Sequence, residues 1–204
     1  MYPAPRHTEA APEPLVLHFG PFLQRMSDDE FFEFCLRHPD LRIERNSEGD
    51  LIIMPPTGGE TGHINFKLTT HFANWAEMDG RGVGFDSSTV FKLPNGANRS
   101  PDVAWVLRER WEALTHEEQR KFPPLCPDFV IELCSYTDRL STLQDKMEEY
   151  IENGAQLGWL IDPIEKNVWI YRPNVEVECL INPANVNGDP ELPGFVLPMD
   201  KIWD

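Results

Sequence analysis

Three ionisable residues stand out because their surroundings are apolar or their spacing brings other polar groups to the same face. Glu132 interrupts the apolar segment FVIELC, where a carboxylate is costly unless it is paired, metal-bound or at the open end of a strand. Asp102 opens a second apolar segment, DVAWVL. Lys146 shares one face of a predicted helix with Tyr150 and Asn153, at i, i+4 and i+7.

Two carboxylates and a lysine are the minimum set for metal-assisted hydrolysis of a phosphodiester. Carboxylates hold Mg²⁺ and leave waters on the metal. The metal acidifies a bound water and neutralises charge on the phosphate oxygens. The lysine orients or deprotonates that water, or stabilises the phosphate as a compact positive charge.

Each of the three residues also has a simpler interpretation when it is taken alone. Glu132 could be a strand-end carboxylate satisfied by an arginine or a backbone amide, and Asp102 could be an ordinary turn residue before a strand. Lys146 could be a solvated helix lysine paired with Glu149 or Tyr150. Only the combination favours a metal site.

The elements that must position these residues are two strands and a helix. PDFVIELCS, residues 127–135, is almost entirely apolar, which is typical of a strand buried on both faces. SPDVAWVL, residues 100–107, is a further predicted strand. The helix with Lys146 begins at Ser141, runs to about Asn153 and ends before Gly154.

The rest of the chain predicts an α/β or α+β fold, with helices flanking a mixed sheet. A capping box of Ser27 and Glu30 opens a first helix, and LRIER and DLIIM around NSEG predict a β-hairpin. Apolar residues recur along a long helix over residues 60–78. Further strands are predicted in RGVGFDSSTVFKL, LGWLIDP, NVWIYRP and VEVECLI. Residues 1–20 are expected to be a flexible arm and residues 21–204 one domain.

Composition limits the classes of function. The 204 residues include 34 Asp and Glu against 18 Lys and Arg, a net charge of −16. Because nucleic-acid backbones attract basic surfaces, any nucleic-acid role needs a local basic patch, a metal ion or a partner. No apolar run is long enough for a membrane-spanning helix, and no signal peptide is expected. Four cysteines without a Cys-x-x-Cys pair predict reduced thiols and a cytoplasmic location.

Over about residues 27–180 the chain resembles the PD-(D/E)XK nuclease superfamily and, more closely, the Uma-type family of bacterial restriction endonucleases. That family's pattern is Pro-Pro-x-Gly-x-x-x-x-His, Pro-Asp-Val, Glu-x-x-Ser, a helix lysine with a tyrosine four residues later, and Gly-x-x-x-x-Trp-x-x-Asp-Pro. The matching residues are Pro55, Pro56, Gly58, His63, Pro101, Asp102, Val103, Glu132, Ser135, Lys146, Tyr150, Gly154, Trp159, Asp162 and Pro163.

The resemblance implies a restriction-endonuclease-like core with Asp102 and Glu132 as metal ligands, Mg²⁺ as cofactor with Mn²⁺ as a substitute, and duplex DNA as substrate. In the plain superfamily pattern the lysine stands two residues after the second acid, a position held here by Cys134. The Uma-type family uses the lysine of the next helix, which implies that Lys146 is catalytic.

Further candidate residues lie outside that trio. Glu60 is a possible third metal ligand, since some nucleases of the superfamily place an acid on the first core helix. Its alternative role is that of an acid interacting with the helix dipole. His63 could be a site residue or a half-buried structural histidine, and Gln144 could contact a phosphate.

Two hypotheses of different classes therefore stay open. One is a Mg²⁺-dependent DNA endonuclease, expected by analogy to act as a homodimer because cutting both strands often pairs two active sites. The other is a non-catalytic interaction module that retains the nuclease fold and acts through a protein partner. The net charge of −16 and the cysteine at position 134 favour the second.

Overall fold

A computed structural model describes residues 14–18 and 26–203. This part of the chain contains five α-helices, and its thirteen strands form three sheets. The helices are α1 (Asp28–Arg37), α2 (Gly59–Asp79), α3 (Arg108–Glu112), α4 (His116–Arg120) and α5 (Leu140–Glu152). The strands are β1 (Leu15–Leu17), β2 (Arg42–Arg45), β3 (Leu51–Met54), β4 (Gly82–Asp86), β5 (Phe91–Lys92), β6 (Asn98–Arg99), β7 (Val103–Leu107), β8 (Phe129–Leu133), β9 (Leu157–Asp162), β10 (Asn167–Tyr171), β11 (Glu178–Ile181), β12 (Asn185–Asn187) and β13 (Val196–Pro198).

The central sheet has six strands in the order β11-β10-β9-β8-β7-β4. β8 and β9 are parallel and joined by α5, whereas the other neighbours pair antiparallel, so the predicted mixed sheet is confirmed. Helix α2 packs on one face through residues such as Leu68 and Phe72, and α5 packs on the other through Met147 and Tyr150. This arrangement is the predicted α+β core flanked by helices.

The predicted hairpin belongs to a second, antiparallel sheet in the order β1-β3-β2-β6-β5. Helix α1 packs on it through Phe31, which contacts the cluster that contains Ile43 and Leu51. The predicted capping box of Ser27 and Glu30 is present at the start of α1. The segment RGVGFDSSTVFKL divides between the two sheets, because β4 pairs with β7 and β5 pairs with β6.

Several boundaries differ slightly from the predictions. Leu15–Leu17 fall within the predicted arm but pair with β3, and residues 1–13, 19 and 20 lie outside the described residues. The strand predicted over residues 100–107 begins only at Val103, and the one predicted over 127–135 covers Phe129–Leu133. Asp102 consequently lies just before β7, and Glu132 is the penultimate residue of β8. Among the described helices, none combines the length and apolar character needed to cross a membrane.

The close contact between Gly82 and Trp105 gives a test of the packing in the central sheet. A Cβ at Gly82 would lie 2.1 Å from Cε2 of the buried Trp105 ring. Because a buried indole cannot move without repacking, we expect Gly82→Ala to lower the free energy of unfolding by about 1–3 kcal/mol in urea titrations. Gly84→Ala is the control in the same strand, since its Cβ would meet Phe72 at an ordinary 3.6 Å. Equal losses in the two variants would contradict this packing.

Candidate active site

Glu132 is buried because it belongs to the strand at the middle of the sheet. β8 lies between β7 and β9, and Glu132 is only 4% exposed. Its neighbours Ile131 and Leu133 pack in the cluster with α2, so strand alternation turns Glu132 towards α5. A carboxylate in this position needs a partner from α5 or from a neighbouring strand.

Lys146 of α5 supplies that partner. Its Nζ lies 2.9 Å from Oε1 of Glu132 and donates to Oε1 of Glu44 at 2.8 Å. One turn later, the Tyr150 hydroxyl donates to the same Oε1 of Glu132 at 3.0 Å. The Lys146 side chain is 10% exposed, so it is not the solvated lysine that the simpler interpretation allowed. Lys146 thus contacts the second acid of the predicted trio, Glu132, from α5. Cys134, which occupies the position of the lysine in the plain superfamily pattern, is buried.

Asp102 lies beside Glu132 at the adjoining strand end. Continuing the antiparallel register of β7 and β8 by one residue beyond Val103 and Ile131 places Asp102 opposite Glu132. Oδ2 of Asp102 accepts a hydrogen bond from the Leu133 amide at 2.9 Å, and its side chain is 13% exposed. The structure therefore brings the two predicted acids and the predicted lysine together.

Glu44 is a member of this cluster that sequence reasoning missed. It lies on β2 of the hairpin sheet, is 2% exposed, and accepts hydrogen bonds from Lys146, from the Ser100 amide at 2.9 Å and from Nη1 of Arg99 at 3.2 Å. Arg99 in turn donates from Nε to Glu149 at 2.5 Å. Three of the four residues of Arg-Ile-Glu-Arg are charged, and this segment carries no local signal that Glu44 is buried.

The electrostatic environment shifts the pKa values of the two carboxyl groups that contact Lys146 in opposite directions. Burial raises the pKa of Glu132 to about 7; the attraction of Lys146 opposes this, and the charge of Asp102 adds to it. Burial also raises the pKa of Asp102. Burial would raise the pKa of Glu44 as well, but Lys146 and Arg99 outweigh it and hold that pKa below its usual value. Burial disfavours the charged form of Lys146, but Glu132 and Glu44 outweigh it and raise that pKa.

The residues at this point fit a divalent cation with open coordination positions. Mg²⁺ is commonly held by one or two carboxylates while it keeps waters and binds phosphate oxygens, and Asp102 and Glu132 supply the two carboxylates. Asn65 of α2 donates from Nδ2 to Oδ1 of Asp102 at 3.2 Å. Within the described ranges its own Oδ1 is buried without a hydrogen-bond partner, which offers a further hard oxygen at the site.

Within residues 14–18 and 26–203, three other sequence candidates form no hydrogen bond or ion pair with this cluster. Glu60 is exposed in the first turn of α2 and lines a cavity of about 190 Å³ with Cys134 and Tyr136. Across residues 14–18 and 26–203, no three His, Cys, Asp or Glu side chains form a group that could hold a metal, so Glu60 does not join the two acids in such a group. His63 is exposed and Gln144 is half-buried.

Comparisons with known proteins identify the family and the fold of this chain. The sequence model of the Uma2 family, described as "Putative restriction endonuclease", matches residues 28–200. The chain belongs to the Uma2 family. This chain has the same fold as a solved structure from Anabaena variabilis ATCC 29413, which is described as "a putative nuclease belonging to DUF820". The TM-score is 0.72 and the sequence identity is 21%. The alignment covers 87% of this chain and 97% of that chain. No curated protein matched the sequence.

The raised pKa of Glu132 predicts how the stability of this Uma2 protein depends on pH. A folded-state pKa of about 7 against an ordinary value of 4.5 means that the stabilising contribution is complete below pH 4.5 and is lost as pH rises towards 7. Glu132→Gln removes this loss. We therefore expect its stability relative to the wild type to rise between pH 5 and pH 8, by up to about 3 kcal/mol. Urea unfolding in EDTA measures the difference, and a constant difference would contradict the raised pKa.

Glu44 gives a second stability test in this Uma2 protein. Glu44→Gln leaves two buried cations, Lys146 and Arg99, short of a carboxylate, so we expect a loss of about 3 kcal/mol in the free energy of unfolding at pH 8. Glu178→Gln is the control because Glu178 is exposed on β11, and it should change stability by less than about 0.5 kcal/mol. Chemical denaturation measures both, and a small effect of both variants would disprove the buried network.

Proposed function

We propose that this Uma2 protein is a Mg²⁺-dependent endonuclease that hydrolyses phosphodiester bonds in duplex DNA. The observation that carries the proposal is the Lys146 amine, 2.9 Å from Glu132 at the strand end that Asp102 adjoins. These are the two acids and one lysine that metal-assisted phosphodiester hydrolysis requires. The family match supports nuclease chemistry in general, and the finer assignment rests on this geometry.

In this proposal Asp102 and Glu132 hold the metal, which would lower the pKa of a bound water and offset charge on the phosphate. The oxygens of Asp102 are oriented by the Leu133 amide and by Asn65, so this ligand is held in place before metal arrives. Ionisation of Glu132, which burial disfavours, is favoured by any positive charge that approaches it.

Lys146 acts in this scheme as a fixed positive charge and hydrogen-bond donor. Two carboxylates contact its amine, and their attraction raises the pKa of Lys146 above its usual value, which opposes release of its proton. A protonated amine stabilises charge on phosphate oxygens or orients a water through donation. Among the roles open to this lysine, the electrostatic ones are therefore favoured over that of a general base. Glu44 holds the amine in position from the opposite sheet.

The alternative, a non-catalytic module acting through a protein partner, is favoured by one observation. The net charge of −16 repels a phosphate backbone from most of the surface. Under the endonuclease proposal the metal and nearby cations overcome this repulsion locally. Cleavage of both strands would take two sites, which is the reason to propose a homodimer.

Nicking of supercoiled plasmid tests the proposed reaction. We expect nicking with Mg²⁺ or Mn²⁺ and none with EDTA. Asp102→Asn, Glu132→Gln and Lys146→Ala should each reduce the rate by about 100-fold or more, because each removes a metal ligand or a fixed charge at the phosphate.

Lys121→Ala is the matched control for that experiment. Lys121 also contacts two carboxylates, Asp29 and Glu117, at 2.8 Å each, but lies away from the acid pair, so its loss should leave the nicking rate unchanged. Circular dichroism of every variant separates loss of activity from loss of fold. If the wild type and all variants nick equally, or if the wild type does not nick with either metal, the endonuclease proposal fails and the non-catalytic module gains support.

A further inference from the structure

Arg42 lies at the edge of the acid pair and has no role in the chemistry described above. It is the first residue of β2, and its Nη2 donates to the carbonyl oxygen of Ser100 at 3.0 Å. The same nitrogen lies 3.9 Å from Oδ1 of Asp102. We propose that Arg42 binds a backbone phosphate of the nucleic acid next to Asp102. This inference rests on the proposed function, because it names a residue that would bring the substrate to the same site.

The two carboxylates of the acid pair, Asp102 and Glu132, create the need for such a residue. A phosphate that approaches Asp102 and Glu132 meets two carboxylates in a protein whose net charge is −16. Phosphate binding by proteins depends on Lys and Arg side chains that neutralise the backbone. In the absence of metal and partner, at least one side-chain cation with uncompensated charge must therefore face the approaching strand.

Three cations contact Asp102, Glu132 or Glu44, and they differ in how far their charge is already neutralised. Lys146 is 10% exposed and lies within 2.9 Å of two carboxylates. Arg99 is 11% exposed and lies within 3.2 Å of two carboxylates. Arg42 is 39% exposed, and its ion pair with Asp102 is as long as 3.9 Å. Of these three, Arg42 has the most accessible and the least compensated charge.

The hydrogen bonds of Arg42 are also incomplete. Its Nε is buried and makes no hydrogen bond to any part of the chain that the structure describes. A buried donor without a partner is costly, so a rotation that brings Nε and an Nη to phosphate oxygens would be favourable. The planar guanidinium can bind phosphate through two parallel N–H groups, which a lysine cannot do. One backbone carbonyl and one long ion pair are weak restraints on such a rotation.

This contact needs no metal, so binding can be measured without one. Fluorescence anisotropy of a labelled duplex in EDTA, at salt concentrations between about 20 and 200 mM, gives the affinity and its salt dependence. We expect Arg42→Gln to weaken binding about tenfold at low salt and to reduce the slope of log affinity against log salt by about one. Arg42→Lys should keep the wild-type slope with an intermediate affinity, because it retains the charge but loses the two-point contact.

Arg108→Gln is the matched control. Arg108 lies just beyond the other end of β7, is 49% exposed and donates to the backbone carbonyls of Gly80 and Gly82. The substitution thus makes the same change in net charge and removes similar hydrogen bonds, but away from the acid pair. Arg108→Gln should bind with the wild-type affinity and slope. Thermal melts of all variants confirm that they are folded.

Parallel nicking assays separate this inference from the proposed function. If the wild type nicks DNA but Arg42→Gln and Arg108→Gln bind alike, the role of Arg42 is overturned and the endonuclease stands. If binding depends on Arg42 but no metal supports nicking, the role of Arg42 stands and the endonuclease fails. A wild type that neither binds nor nicks DNA overturns both.

Discussion

The burial of one carboxylate, Glu132, in the central strand of the main sheet is the constraint on which this structure depends. Strands on both sides exclude water from it, so a compensating charge must come from the helix that covers this face. Lys146 provides the charge, but the amine then becomes buried and needs a second carboxylate, which is Glu44. Glu44 is in turn held by Arg99 and the Ser100 amide. Each buried charge thus requires the next, and the network extends from one sheet into the other.

This chain of compensation gives the hairpin sheet a role in the site. In sequence, the hairpin of β2 and β3 simply precedes the segments that carry Asp102, Glu132 and Lys146. In the structure, β2 supplies Glu44 to the lysine and Arg42 to the edge of the first acid, while β6 carries Arg99. The two sheets are therefore joined by ion pairs that are mostly buried, in addition to apolar packing. Breaking such pairs one partner at a time is much more costly than losing surface pairs.

The same network explains how a strongly acidic protein could act on a phosphate. Its local charge is set by which side chains are paired, and net charge averages over the surface. Lys146 and Arg99 both form ion pairs with the buried Glu44. Arg42 is half-exposed and lies next to Asp102. A metal held by the two acids would add positive charge at the same place. The region around the acid pair can therefore differ in sign from the rest of the surface.

The sequence by itself determined the elements whose signals are local: the capping box of α1, the apolar period of α2, the apolar run of β8 and the glycine after α5. It also singled out Asp102, Glu132 and Lys146, since charged residues in apolar or motif-bearing segments are visible without a structure. Only the tertiary structure decided that Glu44, Asn65 and Arg42 surround them, and that β4 and β5 enter different sheets. The physical reason is separation along the chain: Lys146 and Glu44 are 102 residues apart, and a contact between such distant positions leaves no periodic pattern in either segment.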